Sequence, residues 1–135
     1  MDANTLNEVS KDLLPGYLGI ELLKLEPGYV EDEMPIKSFH LAPNGFLHAG
    51  GIITLADSAC GHGCMGFLPE GASGFTTIEM KSNHLGTARE GSLYCEATAL
   101  HRGSSTQVWD AVVMHRERDK KIAVFRCTQM ILYPR

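Results

Sequence analysis

The chain has 135 residues, 44% of them hydrophobic and 21% charged, the size and balance of a single globular domain with a real core. Its net charge of −4 is spread along the chain, which excludes nucleic acid as the main partner, and no apolar run is long enough for a membrane span. Cys60, Cys64, Cys95 and Cys127 lack the spacing of a disulfide framework, and Met1-Asp2-Ala3-Asn4 does not open a signal peptide, so reduced core thiols in a cytoplasmic protein are expected.

Residues 5–14 pattern as a short amphipathic helix stopped at Pro15-Gly16, and residues 17–25 alternate weakly as a first strand. Pro27-Gly28 turns the chain into a second strand over 29–36, with Val30 and Met34 among acidic residues. Pro43-Asn44-Gly45 is the next turn, and from His48 to Leu68 apolar residues run without proline until Pro69, which predicts a long helix. A loop over 71–74 leads to a strand at 75–85, and three more strands follow at 93–100, 107–115 and 122–133. One long apolar helix among short-linked strands is an α+β pattern, an antiparallel sheet curled around the helix. There is no repeat, low-complexity tract or linker, so residues 1–135 form one domain.

The long helix carries the chemistry. Ile52, Ile53, Leu55, Ala56, Ala59, Cys60 and Met65 leave it little polar surface, so it is buried on most sides. Asp57 has Ile53 four residues before it and Gly61 four after, and no cation stands where a helical ion pair forms. A carboxylate in such surroundings has a raised pKa, which suits a base or nucleophile near neutral pH, although a structural hydrogen bond to a neighbouring loop also answers the pattern. Gly50 and Gly51 sit in the first turn despite a helix penalty of about 1 kcal/mol each relative to alanine. Small residues there leave backbone N–H groups bare for an oxyanion, or allow a close packing on a strand. The donors near Ala49 and the Asp57 carboxylate are eight residues apart, about 12 Å along an α-helix. One carbonyl meets both only if they come from two copies of the helix, in a dimer.

The order of elements, with Asn44-Gly45-Phe46-Leu47-His48-Ala49-Gly50-Gly51 and Leu55-Ala56-Asp57, resembles the hotdog-fold acyl-CoA thioesterases of the phenylacetate-pathway (PaaI-like) type. The shared motif is Asn-Gly…His-Gly-Gly with an acid nine positions after the His. The resemblance implies hydrolysis of an aryl or medium-chain acyl-CoA by a homodimer that assembles into a homotetramer, with the acid from one subunit and the oxyanion donors from the other. No cofactor is implied, since coenzyme A is part of the substrate. Asp57 matches the acid, Ala49 the position whose backbone N–H binds the thioester oxygen, with Gly50 beside it, and His48 the residue lining the site before it. Thr77 matches a hydroxyl that orients water in some relatives. Two positions depart from the pattern. Ala42 stands where many relatives have Asn or Gln, so Asn44 either replaces that amide or shapes the turn, and Gly61 stands where some carry Ser or Thr.

Arg89, Arg102, Arg116, Arg118, Lys120 and Lys121 fall near turns, where they are solvated or touch phosphate at the rim of a site. Arg89 and Arg102, with Gly103 and Ser104, are the candidates for the coenzyme A phosphates. Cys60 and Cys64 stand about 200° around the helix from His62, so the three do not converge on a metal. Two rival functions remain, a hotdog hydratase or dehydratase and a non-catalytic acyl-CoA binding protein.

Overall fold

The computed structural model describes residues 1–135. Helix α1 (Ala3–Ser10) is capped by Asp2, whose side chain accepts the Thr5 N–H at 2.8 Å. The expected single helix over 5–14 is in fact two, because a second short helix, α2 (Leu14–Tyr17), follows a turn. Pro15 sits in the first turn of α2, where its missing N–H is no loss, so it starts a helix instead of stopping one. Strand β1 accordingly begins late, at Glu21–Glu26, after Gly19 has turned the chain with φ +81°. Strand β2 (Tyr29–Pro35) leads through a 3₁₀ turn (Ser38–His40) to helix α3 (Ala49–Gly66). Strands β3 (Gly74–His84), β4 (Ser92–Arg102), β5 (Thr106–His115) and β6 (Lys120–Leu132) complete the chain.

The six strands form one antiparallel sheet in the order β1-β2-β4-β5-β6-β3. The chain thus places β3, the first strand after α3, at the far edge beside the last strand. Register shifts interrupt β1, β3, β4 and the β5–β6 pairing; such bulges increase local twist and let a sheet curl. The sheet wraps α3, and Leu55, Ala56, Ala59, Cys60 and Cys64 of the helix are all at most 1% exposed. This is the hotdog fold.

Close approach of helix to sheet depends on Gly63. A Cβ there would overlap the ring of Trp109, itself fully buried, with its Nε1 donating to Gln107 Oε1 at 2.8 Å. The indole cannot retreat, so Gly63→Ala is expected to destabilise the protein by roughly 1–3 kcal/mol, as overpacking does. Denaturant unfolding of the variant beside the wild type measures it. No helix is long and apolar enough to cross a membrane, and all four cysteines are free and buried.

Candidate active site

The first turn of α3 is organised by His48. It is the N-cap, with φ −71° and ψ 129°, and its Nδ1 accepts the Gly50 N–H at 2.8 Å. A ring nitrogen that accepts carries no proton, so in this tautomer the hydrogen is on Nε2, which remains a donor on an exposed side chain. The His48 carbonyl takes the N–H groups of Gly51 and Ile52 at 3.1 and 3.4 Å. Ala49 is left as the one position in this turn whose N–H has no acceptor. The expectation that Ala49 and Gly50 both serve as oxyanion donors is thereby corrected, because the cap consumes the N–H of Gly50. The glycines also separate in role. A Cβ on Gly50 would stand 3.0 Å from His48 Nδ1, whereas nothing lies within 4 Å of one on Gly51. No strand packs there, and a cleft of about 270 Å³ opens beside this turn, with Leu14, Leu18, Phe39 and Leu41 on its wall.

Two turns along, Asp57 is half-buried and faces β3. Burial pushes its carboxyl above the ordinary value of 3.8, and a hydrogen bond from Thr77 pulls it partly back. Thr77 Oγ1 donates to Oδ1 at 3.3 Å, and no cation pairs with the carboxylate. A bulge between Thr77 and Glu79, with Ile78 as the extra residue, sits at this point of β3. Bulges beside a site re-aim a side chain, and strict alternation along β3 does not anticipate this one. Ala49 and Asp57 lie on one continuous helix, so the separation of about 12 Å holds within a chain.

An unspent oxyanion donor at a helix N-terminus and a carboxylate of raised pKa are the parts of an acyl-transfer site, and residues 44–122, which hold both, match the thioesterase superfamily. The chain belongs to that superfamily. It is 31% identical over 130 residues to the 1,4-dihydroxy-2-naphthoyl-CoA hydrolase of Escherichia coli, covering 94% of this chain and 92% of that one. The corresponding hydrolase of Listeria monocytogenes is also 31% identical, over 111 residues, 82% of this chain and 89% of that protein. A mutant thioesterase structure from Pseudomonas aeruginosa superposes with a TM-score of 0.90 at 27% identity, over 98% of this chain and 94% of the other.

The remaining candidates of this thioesterase divide by place. Asn44 Oδ1 accepts the Phe46 N–H at 3.1 Å, and Gly45 follows with φ +87°. Its carbonyl is therefore committed to shaping the turn rather than to replacing the amide absent at Ala42. Arg89 stacks over Phe46 with its guanidinium carbon 5.0 Å from the ring centroid, at the α3 N-terminal side. Arg102 lies at the other end of β4, where Gly103, Ser104, Gln107 and residues 67–69 join it around a cleft of about 290 Å³. The 11 residues of β4 separate the two arginines, roughly 33 Å of strand. The expectation that both touch one nucleotide thus fails within a single chain.

One pair escapes the sequence reading. His62 Nδ1 meets Asp32 Oδ2 at 2.8 Å, with the two residues 7% and 0% exposed. Burial raises the Asp32 pKa and His62 lowers it, burial being the stronger. Asp32 alternates with Val30 and Met34, both fully buried, so strand parity alone marks it as an inward carboxylate. Cys60 and Cys64 are buried on α3, where burial pushes the Cys60 thiol well above its ordinary range and that of Cys64 to about 11, which makes neither a nucleophile. His115 Nε2 is bound to the Glu90 carbonyl and its Nδ1 to the Arg118 N–H, a structural role.

Proposed function

We propose that this thioesterase hydrolyses acyl-CoA thioesters with an aryl or medium-chain acyl group, releasing the free acid and coenzyme A. The observation that carries the reading is the pair of unspent groups on one helix, the Ala49 N–H without an acceptor and the Asp57 carboxylate without a cation. The thioester oxygen sits on the Ala49 N–H of one subunit, with His48 Nε2–H beside it. Asp57 of the other subunit, one oxygen held by Thr77, acts on the carbonyl carbon directly or by taking a proton from water that attacks it. Collapse of the tetrahedral adduct expels the thiolate, which takes a proton and leaves as the thiol; where Asp57 attacks directly, water then hydrolyses the acyl-aspartyl anhydride, freeing the acid and restoring the carboxylate. The CoA hydrolases among the relatives support the thioester and an aromatic acyl group.

In the same reading the active unit is a homodimer, and two dimers assemble as a homotetramer. β3 pairs only with β6, and its free edge is 11 residues long; such an edge invites pairing. Ile78 and Met80 on β3 are 52% and 48% exposed, which supports a second copy there, beside Thr77. Arg89 lies at the donor end of the site and serves the coenzyme A phosphates, while Arg102, Gly103 and Ser104 reach them only from another subunit.

The test is thiol release from a panel of aryl- and acyl-CoA thioesters. Ala49→Pro is the decisive variant, because proline at the first helical position removes the N–H yet suits the helix, and His48 already has the extended backbone that precedes proline. A fall in kcat of about 10²–10³-fold with helix content retained is expected on losing one oxyanion donor. Mixing Ala49→Pro with Asp57→Asn, each inactive alone, should restore about a quarter of wild-type activity if subunits exchange freely, since half the dimers then hold one intact site. No recovery after confirmed exchange overturns the two-subunit site.

A further inference from the structure

We infer that Phe75 sets the length of acyl group the enzyme accepts, a proposal that rests on the hydrolase reading above. Asp57 and Gly61 are one turn apart on the same face of α3, and Thr77 and Phe75 are two residues apart on the same face of β3. The four make two layers of one seam, with Thr77 on Asp57 and Phe75 on Gly61. A Cβ on Gly61 would lie 3.0 Å from Phe75 Cζ, and 3.7 and 3.9 Å from its two Cε atoms. The tip of the ring therefore occupies the space that any other residue at 61 would fill, and the half-buried ring still presents surface to the seam.

The consequence is a closed end. From Asp57 the seam runs one turn, about 6 Å, before the ring shuts it. A thioester carbonyl has two arms that leave in different directions, and only one of them ends. The coenzyme arm is long and charged and has to reach solvent, which it does at the α3 N-terminus of the subunit that supplies the Ala49 N–H, where His48 and Ala49 are exposed and Arg89 stands nearby. The arm facing Phe75 is the acyl group. An acyl group that runs from Asp57 toward the ring meets it within about one helical turn, which favours an aryl ring or a short chain and excludes long fatty chains.

The experiment compares kcat/KM for butyryl-, hexanoyl-, decanoyl- and benzoyl-CoA in the wild type, Phe75→Ala, Phe75→Trp and Phe39→Ala. Ratios between substrates within one variant do not depend on how much of it is folded. Phe75→Ala should raise the decanoyl-to-butyryl ratio at least about tenfold, given that a single methylene in an apolar pocket is worth that much. Phe75→Trp should lower the hexanoyl-to-butyryl ratio. Unchanged ratios in both variants overturn the proposal while leaving hydrolysis intact, as does a shift produced by Phe39→Ala, which would move the acyl group to the cleft beside α3. Absence of thiol release by the wild type from every thioester overturns the hydrolase reading and this one with it.

Discussion

Asp57→Asn is expected to lose thioester hydrolysis by about 10²–10⁴-fold, the range for removal of a positioned acid or base, and to gain stability at neutral pH. The two effects have one cause. Asp57 is half-buried without a cation, and burial raises its pKa above 3.8. A folded-state pKa above the unfolded one means that the native protein binds this proton more tightly. The contribution to stability is therefore fully present below the unfolded value and is lost as pH rises through the folded one. At pH 7 the ionised carboxylate opposes folding, and asparagine removes that opposition while keeping the shape. Activity runs the other way, since the reaction needs the ionised form. In the wild type kcat/KM should fall as pH drops through the raised pKa, an acid limb above the ordinary carboxylate range, and the limb should vanish in the residual activity of Asp57→Asn. Thermal unfolding and a pH–rate profile of the two proteins check both halves. Equal rates would remove Asp57 from the mechanism, and an unchanged or lower Tm would mean that its burial is matched by partners beyond Thr77.

What was legible in the chain follows from locality. The long helix, its start at His48 and the unpaired carboxylate at 57 are properties of a few neighbouring residues, and the structure has them within two residues of the expected ends. The need for two copies is equally local, since it follows from the rise of a helix alone. Sheet order was not available, because the pairing of β3 with β6 joins Thr77 to Gln129 across 52 positions and no turn between them specifies it. The use of the Gly50 N–H by His48 was hidden for a different reason. A histidine cap needs a particular rotamer, and the same His-Ala-Gly-Gly stretch is consistent with two free donors. The bulge at Ile78 breaks an alternation that reads cleanly in the sequence, just after Thr77 has met Asp57. Pro15 is ambiguous for a local reason, since proline in a first turn is as good a helix start as a stop, and here it starts α2.

Asp32→Ala is expected to destabilise the fold by roughly 3–5 kcal/mol, the loss that follows from breaking a buried pair and leaving one member stranded. The size comes from what remains. His62 is 7% exposed on α3, and its Nδ1 has Asp32 as its partner at 2.8 Å, so the deletion leaves a buried imidazole nitrogen with nothing to bond and a cavity between β2 and the helix. For a domain of this length that is a fall in Tm of roughly 10–20 °C. Asp32→Asn should lose much less, because its Oδ1 still accepts from His62 Nδ1 and the burial that raises the Asp32 pKa no longer acts on a charge. The double variant Asp32→Leu/His62→Leu separates pairing from packing. Replacing both partners by apolar side chains of similar volume is often neutral or stabilising, and one oxygen of Asp32 already lacks a partner. Recovery of wild-type stability in the double variant would show that the pair is retained at no net gain in free energy. A double variant as unstable as Asp32→Ala would show instead that the hydrogen bond holds α3 against β2, and so holds Asp57 over Thr77 on the other side of the same helix.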